Sequence, residues 1–165
     1  MGTWTNNDGL RIAFGTDEAT AGKAGEYRNY GPERVVEVEI NLVALGTAAA
    51  IQDQHVTIPA GAFISKVELI TLVTATSSGT GTLNVGLQRL DRTTELDYDG
   101  FIAAAVLTTF NNVGETVTYA QDTTGHGALL GTELAYPGYI TADYDTGAFQ
   151  TGVVRVRVYY MPNVV

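Results

Sequence analysis

IPAGAFISKVELITLVT, residues 58–74, is the stretch whose reading decides the fold. Pro59, Ala60 and Gly61 make a stop and a turn. A dozen apolar and β-branched residues then run without a breaker, among them Phe63, Ile64, Val67, Leu69, Ile70, Leu72 and Val73. Length, composition and flanking Gly and Pro predict a central, well-covered strand. On a strict two-residue period Phe63, Val67, Leu69 and Val73 share one face, and Ile70 and Leu72 fall on the other. Lys66 and Glu68 interrupt that second face, which therefore starts near solvent.

Shorter strands lie around this one. Residues 35–43, VVEVEINLV, alternate cleanly: Val36, Val38, Ile40 and Leu42 point one way, Glu37, Glu39 and Asn41 the other. Residues 153–160, VVRVRVYY, repeat the pattern with the opposite charge, Arg155 and Arg157 sharing a face with Tyr159. Two carboxylates and two guanidiniums at the same spacing suit an antiparallel pairing of the first and last strands of the domain. The alternative is two independently solvated faces. Exposed ion pairs add little energy, so the value of the pairing lies in register.

Residues 75–81, ATSSGTG, are a loop, and residues 82–90 form a strand that completes a long hairpin. Residues 98–112 are the helical candidate, with Asp99 as N-cap, Phe101, Ala104, Ala105 and Thr108 at helical spacing, and three consecutive alanines. Residues 115–119, 134–136 and 139–144 predict short strands, and the glycine-broken residues 120–132 a loop. The sum is seven to nine strands and frequent turns: an all-β, jelly-roll-like β-sandwich with one short helix and an extended N-terminal arm. The expected division is an arm over 1–34 and a sandwich over 35–165. No internal repeat supports a solenoid or propeller.

The arm is rich in Gly, Asn, Thr and Ala, with Trp4, Leu10, Ile12, Phe14, Tyr27 and Tyr30 as apolar islands. One reading is a partly ordered tail. The other is an arm whose aromatics dock on a neighbouring subunit, since a solvated tail has little use for them.

Composition narrows the function. Of 165 residues, 45% are hydrophobic and 16% charged, enough for a core and sparing in charge, as in chains covered by partners. A net charge of −9 argues against non-specific binding to nucleic acid or an anionic membrane. No cysteine exists to build a disulfide, thiolate nucleophile or zinc–thiolate site. No apolar run approaches membrane-spanning length, and residues 1–10 show no secretion signal.

No enzyme motif emerges. His55 and His126 sit in loop settings, and Ser65, Ser77 and Ser78 lack a nucleophile-elbow context. Asp97/Asp99 and Asp143/Asp145 have a spacing seen in calcium loops, but the remaining positions of that pattern are missing and acid–turn–Gly is ordinary turn chemistry. The expectation is a non-enzyme without cofactor or metal.

WTNNDGLRIAFGT (4–16), IPAGAFISKVELITLVTATSSGTGTLNVGL (58–87) and DGFIAAAVLTTF (99–110) together resemble small structural proteins of tailed bacteriophages, in particular capsid decoration, or cement, proteins. The resemblance implies a jelly roll or related sandwich without catalytic residues. It implies a homo-oligomer, by analogy a trimer, bound to the major capsid protein on the outer surface of the head. There it would bridge neighbouring capsomers against the pressure of packaged DNA. A tail, baseplate or fibre-associated protein is the nearest alternative, and a carbohydrate-binding sandwich the next.

Overall fold

In the computed structural model, residues 33–162 are described in full, together with the backbone of Gly2–Thr5 and Arg11–Phe14. The chain divides into two units, Met1–Gly31 and Pro32–Val165. In the first, β1 (Gly2–Thr5) pairs antiparallel with β2 (Arg11–Phe14), Gly2 opposite Phe14 and Thr5 opposite Arg11.

The second unit is a two-sheet sandwich. One sheet has the order β3 (Arg34–Asn41), β11 (Phe149–Met161), β6 (Phe63–Ser77), β9 (Thr116–Tyr119). The other runs β4 (Ala50–Ile51), β10 (Gly138–Tyr144), β7 (Thr82–Arg89), β8 (Glu95–Val106), with β5 (Thr57–Ile58) continuing β4 along β10. With β4 and β5 counted as one broken edge strand, the orders are first-eighth-third-sixth and second-seventh-fourth-fifth. That is the double Greek key of a jelly roll.

Alternation puts Val38 and Ile40 of β3, Val154, Val156 and Val158 of β11, and Leu83, Val85 and Leu87 of β7 into the core, each 3% exposed or less. Ile140 and Ala142 of β10, both fully buried, join them. Phe110 and Phe149 close one end, ring centroids 6.0 Å apart.

β6 departs from the simple period. Val67 and Leu69 are fully buried, but Phe63 is 37% and Val73 48% exposed. Two bulges against β11 account for this. Tyr159 faces Lys66 while Tyr160 faces Ile64, so Ser65 is extra; Val153 faces Val73 while Val154 faces Thr71, so Leu72 is extra. Each extra residue reverses which side chains point inward. Ile64 thereby takes the core position beyond the first bulge; beyond the second, a further residue is inserted between Val73 and Thr76, which face Val153 and Thr151, and Ala75 is buried. Ser65 is held at its bulge by donating its hydroxyl to Tyr159 O at 3.1 Å and to the Glu33 carboxylate.

Residues 98–112 are not a helix. Strand β8 continues to Val106, followed by one 3-10 turn at Leu107–Thr109, so Asp99 caps nothing. The alanine preference for helix is worth only tenths of a kcal/mol per residue, whereas burying Phe101 and Ile102 contributes about 2–3 kcal/mol each. Both are fully buried, next to each other in sequence, because β8 bulges against β7. Its outer edge is covered by the loop that follows β9: Ala103 N donates to Gly125 O, Gly127 N to Phe101 O and Leu129 N to Gly100 O. Residues 134–136 are likewise not a separate strand. Leu134 instead exchanges backbone hydrogen bonds with Gly61 and Ala62 ahead of β6, and is 3% exposed.

Candidate functional site

The outer face of the β3–β11–β6–β9 sheet carries an ordered polar surface. In register, Glu37 faces Arg157, which faces Glu68, which faces Thr118. One rung along, Glu39 faces Arg155, then Ile70, then Thr116. Arg157 Nε donates to Glu37 Oε2 at 2.7 Å and Arg155 Nη2 donates to Glu39 Oε1. Arg155 Nε also lies 3.1 Å from Glu37 Oε1, off the N–H axis, an ion pair without a hydrogen bond.

The network extends to residues whose part sequence alone did not reveal. Lys66 Nζ donates to Glu68 Oε1 at 2.9 Å and Tyr159 Oη donates to Glu68 Oε2 at 2.7 Å. Lys66 Nζ also sits 4.1 Å from the centre of the Tyr159 ring. Partial burial works to raise the Glu68 carboxyl, but donation from Lys66 and Tyr159 and the charges of Lys66 and Arg157 hold it below its ordinary value. Accepting from Tyr159 puts the charge against the phenol, so Tyr159 is raised. Three carboxylates (Glu37, Glu39, Glu68) meet three cations (Lys66, Arg155, Arg157), so these six groups balance in a chain of −9. Apolar side chains border it: Val35 is 49% and Met161 37% exposed.

The other sheet carries a cluster of carboxyls. Asn84 of β7 donates through Nδ2 to Asp143 Oδ1 at 2.8 Å and Asp145 Oδ2 at 3.0 Å, while its Oδ1 accepts from Ala104 N. Ala104 there has φ 52°, a left-handed conformation held by that bond. Burial, then the neighbouring Asp99 carboxyl, pushes Asp97 up to about 6. Burial raises Asp143, against the pull of Asn84. Gly86 lies beneath this stretch of β8; a Cβ there would stand 2.1 Å from Asp97 O, so only glycine lets the strands approach. Among the described residues, no three His, Asp or Glu side chains are arranged to hold a metal ion.

Solved structures share this jelly roll. A chain of the cyanophage Pam1 capsid asymmetric unit matches with TM-score 0.59 and 23% identity, over 90% of this chain and 98% of that one. A chain in the acidic stable capsid structure of Helicobacter pylori bacteriophage KHP30 matches at TM-score 0.52 and 16% identity, over 81% and 90%. One in the capsid of Ralstonia phage GP4 matches at 0.52 and 14%, over 82% and 87%. The likeness is one of fold. No protein-family model matches the chain, and no curated protein matches it in sequence.

The remaining sequence candidates fall as follows. Trp4 belongs to β1 and Ile12 and Phe14 to β2, but their side chains lie outside the described residues, as do Leu10, Tyr27 and Tyr30. His126 Nδ1 contacts Thr123 O within its own loop, and His55 lies in the loop between β4 and β5, its N–H on Asp53. The hydroxyls of Ser77 and Ser78 donate to backbone oxygens of Gly79 and Ala148. None of these contacts joins a serine to a histidine.

Proposed function

We propose that this chain is a capsid decoration protein of a tailed phage, bound outside the major capsid shell and bridging neighbouring capsomers. The observation that carries the reading is the end-to-end fold match with a chain of a phage capsid asymmetric unit, 90% of one covered by 98% of the other. Two chains of similar extent and the same jelly roll are what a shared small virion subunit looks like. The sequence resemblance to cement proteins, drawn from residues 4–16, 58–87 and 99–110, points the same way.

Physical features support it. The acidic balance keeps the subunit from capturing DNA. The neutral ladder of Glu37, Glu39, Glu68, Lys66, Arg155 and Arg157, bordered by Val35 and Met161, is the polar-and-apolar mixture of a protein interface. On a symmetric lattice many such modest contacts give firm retention by multivalency. The role is mechanical, without catalysis or cofactor, and the subunit acts as a homo-oligomer, a trimer in this reading. The test is sedimentation of the purified protein with expanded heads that lack it. Saturation at a fixed ratio to major capsid protein is expected. Binding to tail assemblies instead, or retention on a glycan column with no head binding, would replace the reading with one of the alternatives.

A further inference from the structure

We infer that the fold builds a calcium site between β8 and β10, with Thr141 Oγ1, the carboxylates of Asp99 and Asp143 and the main-chain oxygen of Asp97 as its ligands. The inference stands apart from the capsid reading and does not rest on it.

Two Asp-x-Asp pairs far apart in sequence meet across β7: Asp97 and Asp99 on β8, Asp143 in β10 and Asp145 just after it. On one flank of β7, Asp143 stands opposite Asn84 and Thr141 opposite Gly86. On the other flank, Leu87 faces Asp97 and Val85 faces Ile102, so Gly86 alone spans residues 98–101 of β8. The surplus chain bulges over Gly86, where a Cβ would stand 2.1 Å from Asp97 O and 2.3 Å from Tyr98 O. Ile140 and Ala142 point into the core, so Thr141 and Asp143 point out, to the face over which β8 bulges. Side chains directly opposed across two strands lie about 5 Å apart, which aims the Thr141 hydroxyl at the underside of that bulge. Thr141 is fully buried, and its Oγ1 has no hydrogen-bond partner. A buried hydroxyl left unpaired costs folding free energy, and its presence here points to something that it binds.

The carboxyls around that hydroxyl are close enough to feel one another. Burial, opposed by Asn84, raises Asp143, and the charges of Asp145 and Asp99 raise it further. The single amide of Asn84 donates to Asp143 Oδ1 and Asp145 Oδ2, which leaves Asp143 Oδ2 to turn toward Thr141. The ion pairs of the described residues lie on the other sheet and bring no Lys or Arg here. Among the described residues no three His, Asp or Glu side chains converge, so carboxylates alone do not make the site. Two carboxylates, one hydroxyl and one carbonyl complete it. These donors are all oxygen, which selects a hard cation. Ca²⁺ accepts irregular sets of carboxylate, carbonyl and water oxygens, whereas Mg²⁺ demands a near-ideal octahedron. The charge of two aspartates balances that of one Ca²⁺. Neither Asp-x-Asp pair carries the other positions of a calcium loop in its own sequence; the fold supplies Thr141 and the Asp97 carbonyl in their place.

The test is thermal unfolding of the EDTA-stripped chain at neutral pH and fixed ionic strength, with calcium chloride added and magnesium chloride as the comparison. Calcium is expected to raise the midpoint progressively with its concentration, and magnesium to raise it far less. Thr141→Val removes a hydroxyl that bonds to nothing in the chain. It is expected to leave the calcium-free midpoint unchanged or higher and to lose most of the calcium shift. Asp99→Asn, at an exposed side chain, is expected to lose the shift as well. Terbium luminescence excited through the chain's tyrosines reads binding directly: it is expected in the unmodified chain, quenched by added calcium, and weakened in both variants. No calcium shift in the unmodified chain, or an equal shift with magnesium, would overturn the inference. So would a shift that survives in both variants, which would mark general screening of an acidic chain.

Discussion

Arg157 stands in register with Glu37, its Nε 2.7 Å from Oε2, and on its other flank meets Glu68 of the third strand. The arginine is thus shared between two acids rather than paired with one. Replacing Arg155 and Arg157 by Glu is expected to lower the urea midpoint of unfolding. Adding Glu37→Arg and Glu39→Arg is expected to recover part of the loss and not all, because residue 157 would still face the carboxylate of Glu68. Simple additivity in this cycle would contradict a working ladder.

Thr71 ties the central strand to the loop beyond β8. Its buried hydroxyl donates to Phe110 O at 2.8 Å, and the residue is 1% exposed. Thr71→Val keeps the shape and strands the carbonyl, so a loss of about 1–2 kcal/mol is expected in urea denaturation. A neutral result would mean that water reaches Phe110 O.

Ala104 inverts the usual rule for glycine in strands. With φ at 52°, it pays the cost of a left-handed alanine, about 1–2 kcal/mol. Ala104→Gly relieves that strain against about 0.5–1 kcal/mol of extra chain entropy. A neutral or raised thermal midpoint is expected. A clear fall would show that the methyl group packs.

Asp97 sets a pH dependence. Its folded value, about 6, lies above the 3.8 of an unperturbed aspartate, so the folded chain holds the proton more tightly than the unfolded one. Its contribution therefore favours folding below about pH 4 and turns against it as pH rises toward 6. Asp97→Asn is expected to raise the thermal midpoint at pH 7 and to flatten the profile between pH 4 and 6. An unchanged profile would mean that Asp97 titrates as an ordinary surface acid.

The strands that read most plainly in the sequence, 35–43 and 153–160, pair without a bulge between Val35 and Asn41, so period and face agree from end to end. A jelly roll sets its first and last strands side by side, so the charge pattern of these two strands and the count of strands and turns point to the same fold. In β6 the period was legible only between Ser65 and Leu72. Nothing local marks either residue as extra, because the bulges depend on where β11 bends. The alanine run of β8 failed for the same kind of reason: helix preference is local, whereas the pairing with β7 and the cover from residues 125–129 come from far along the chain. Lys66 and Glu68 were visible as polar interruptions. That Glu68 joins the arginine ladder required the register of a third strand.

Because Tyr160 faces Arg34, the sandwich's first residues and its last leave from one corner. Tension applied through residues 33 and 162 would open the β3–β11 ladder like a zipper, one rung at a time and at low force. Tension across the length of β6 and β11 would have to shear all their rungs together. The subunit is therefore strong or weak according to where it is gripped, and anchors set on the sheet faces, away from that corner, leave it in its stiff direction.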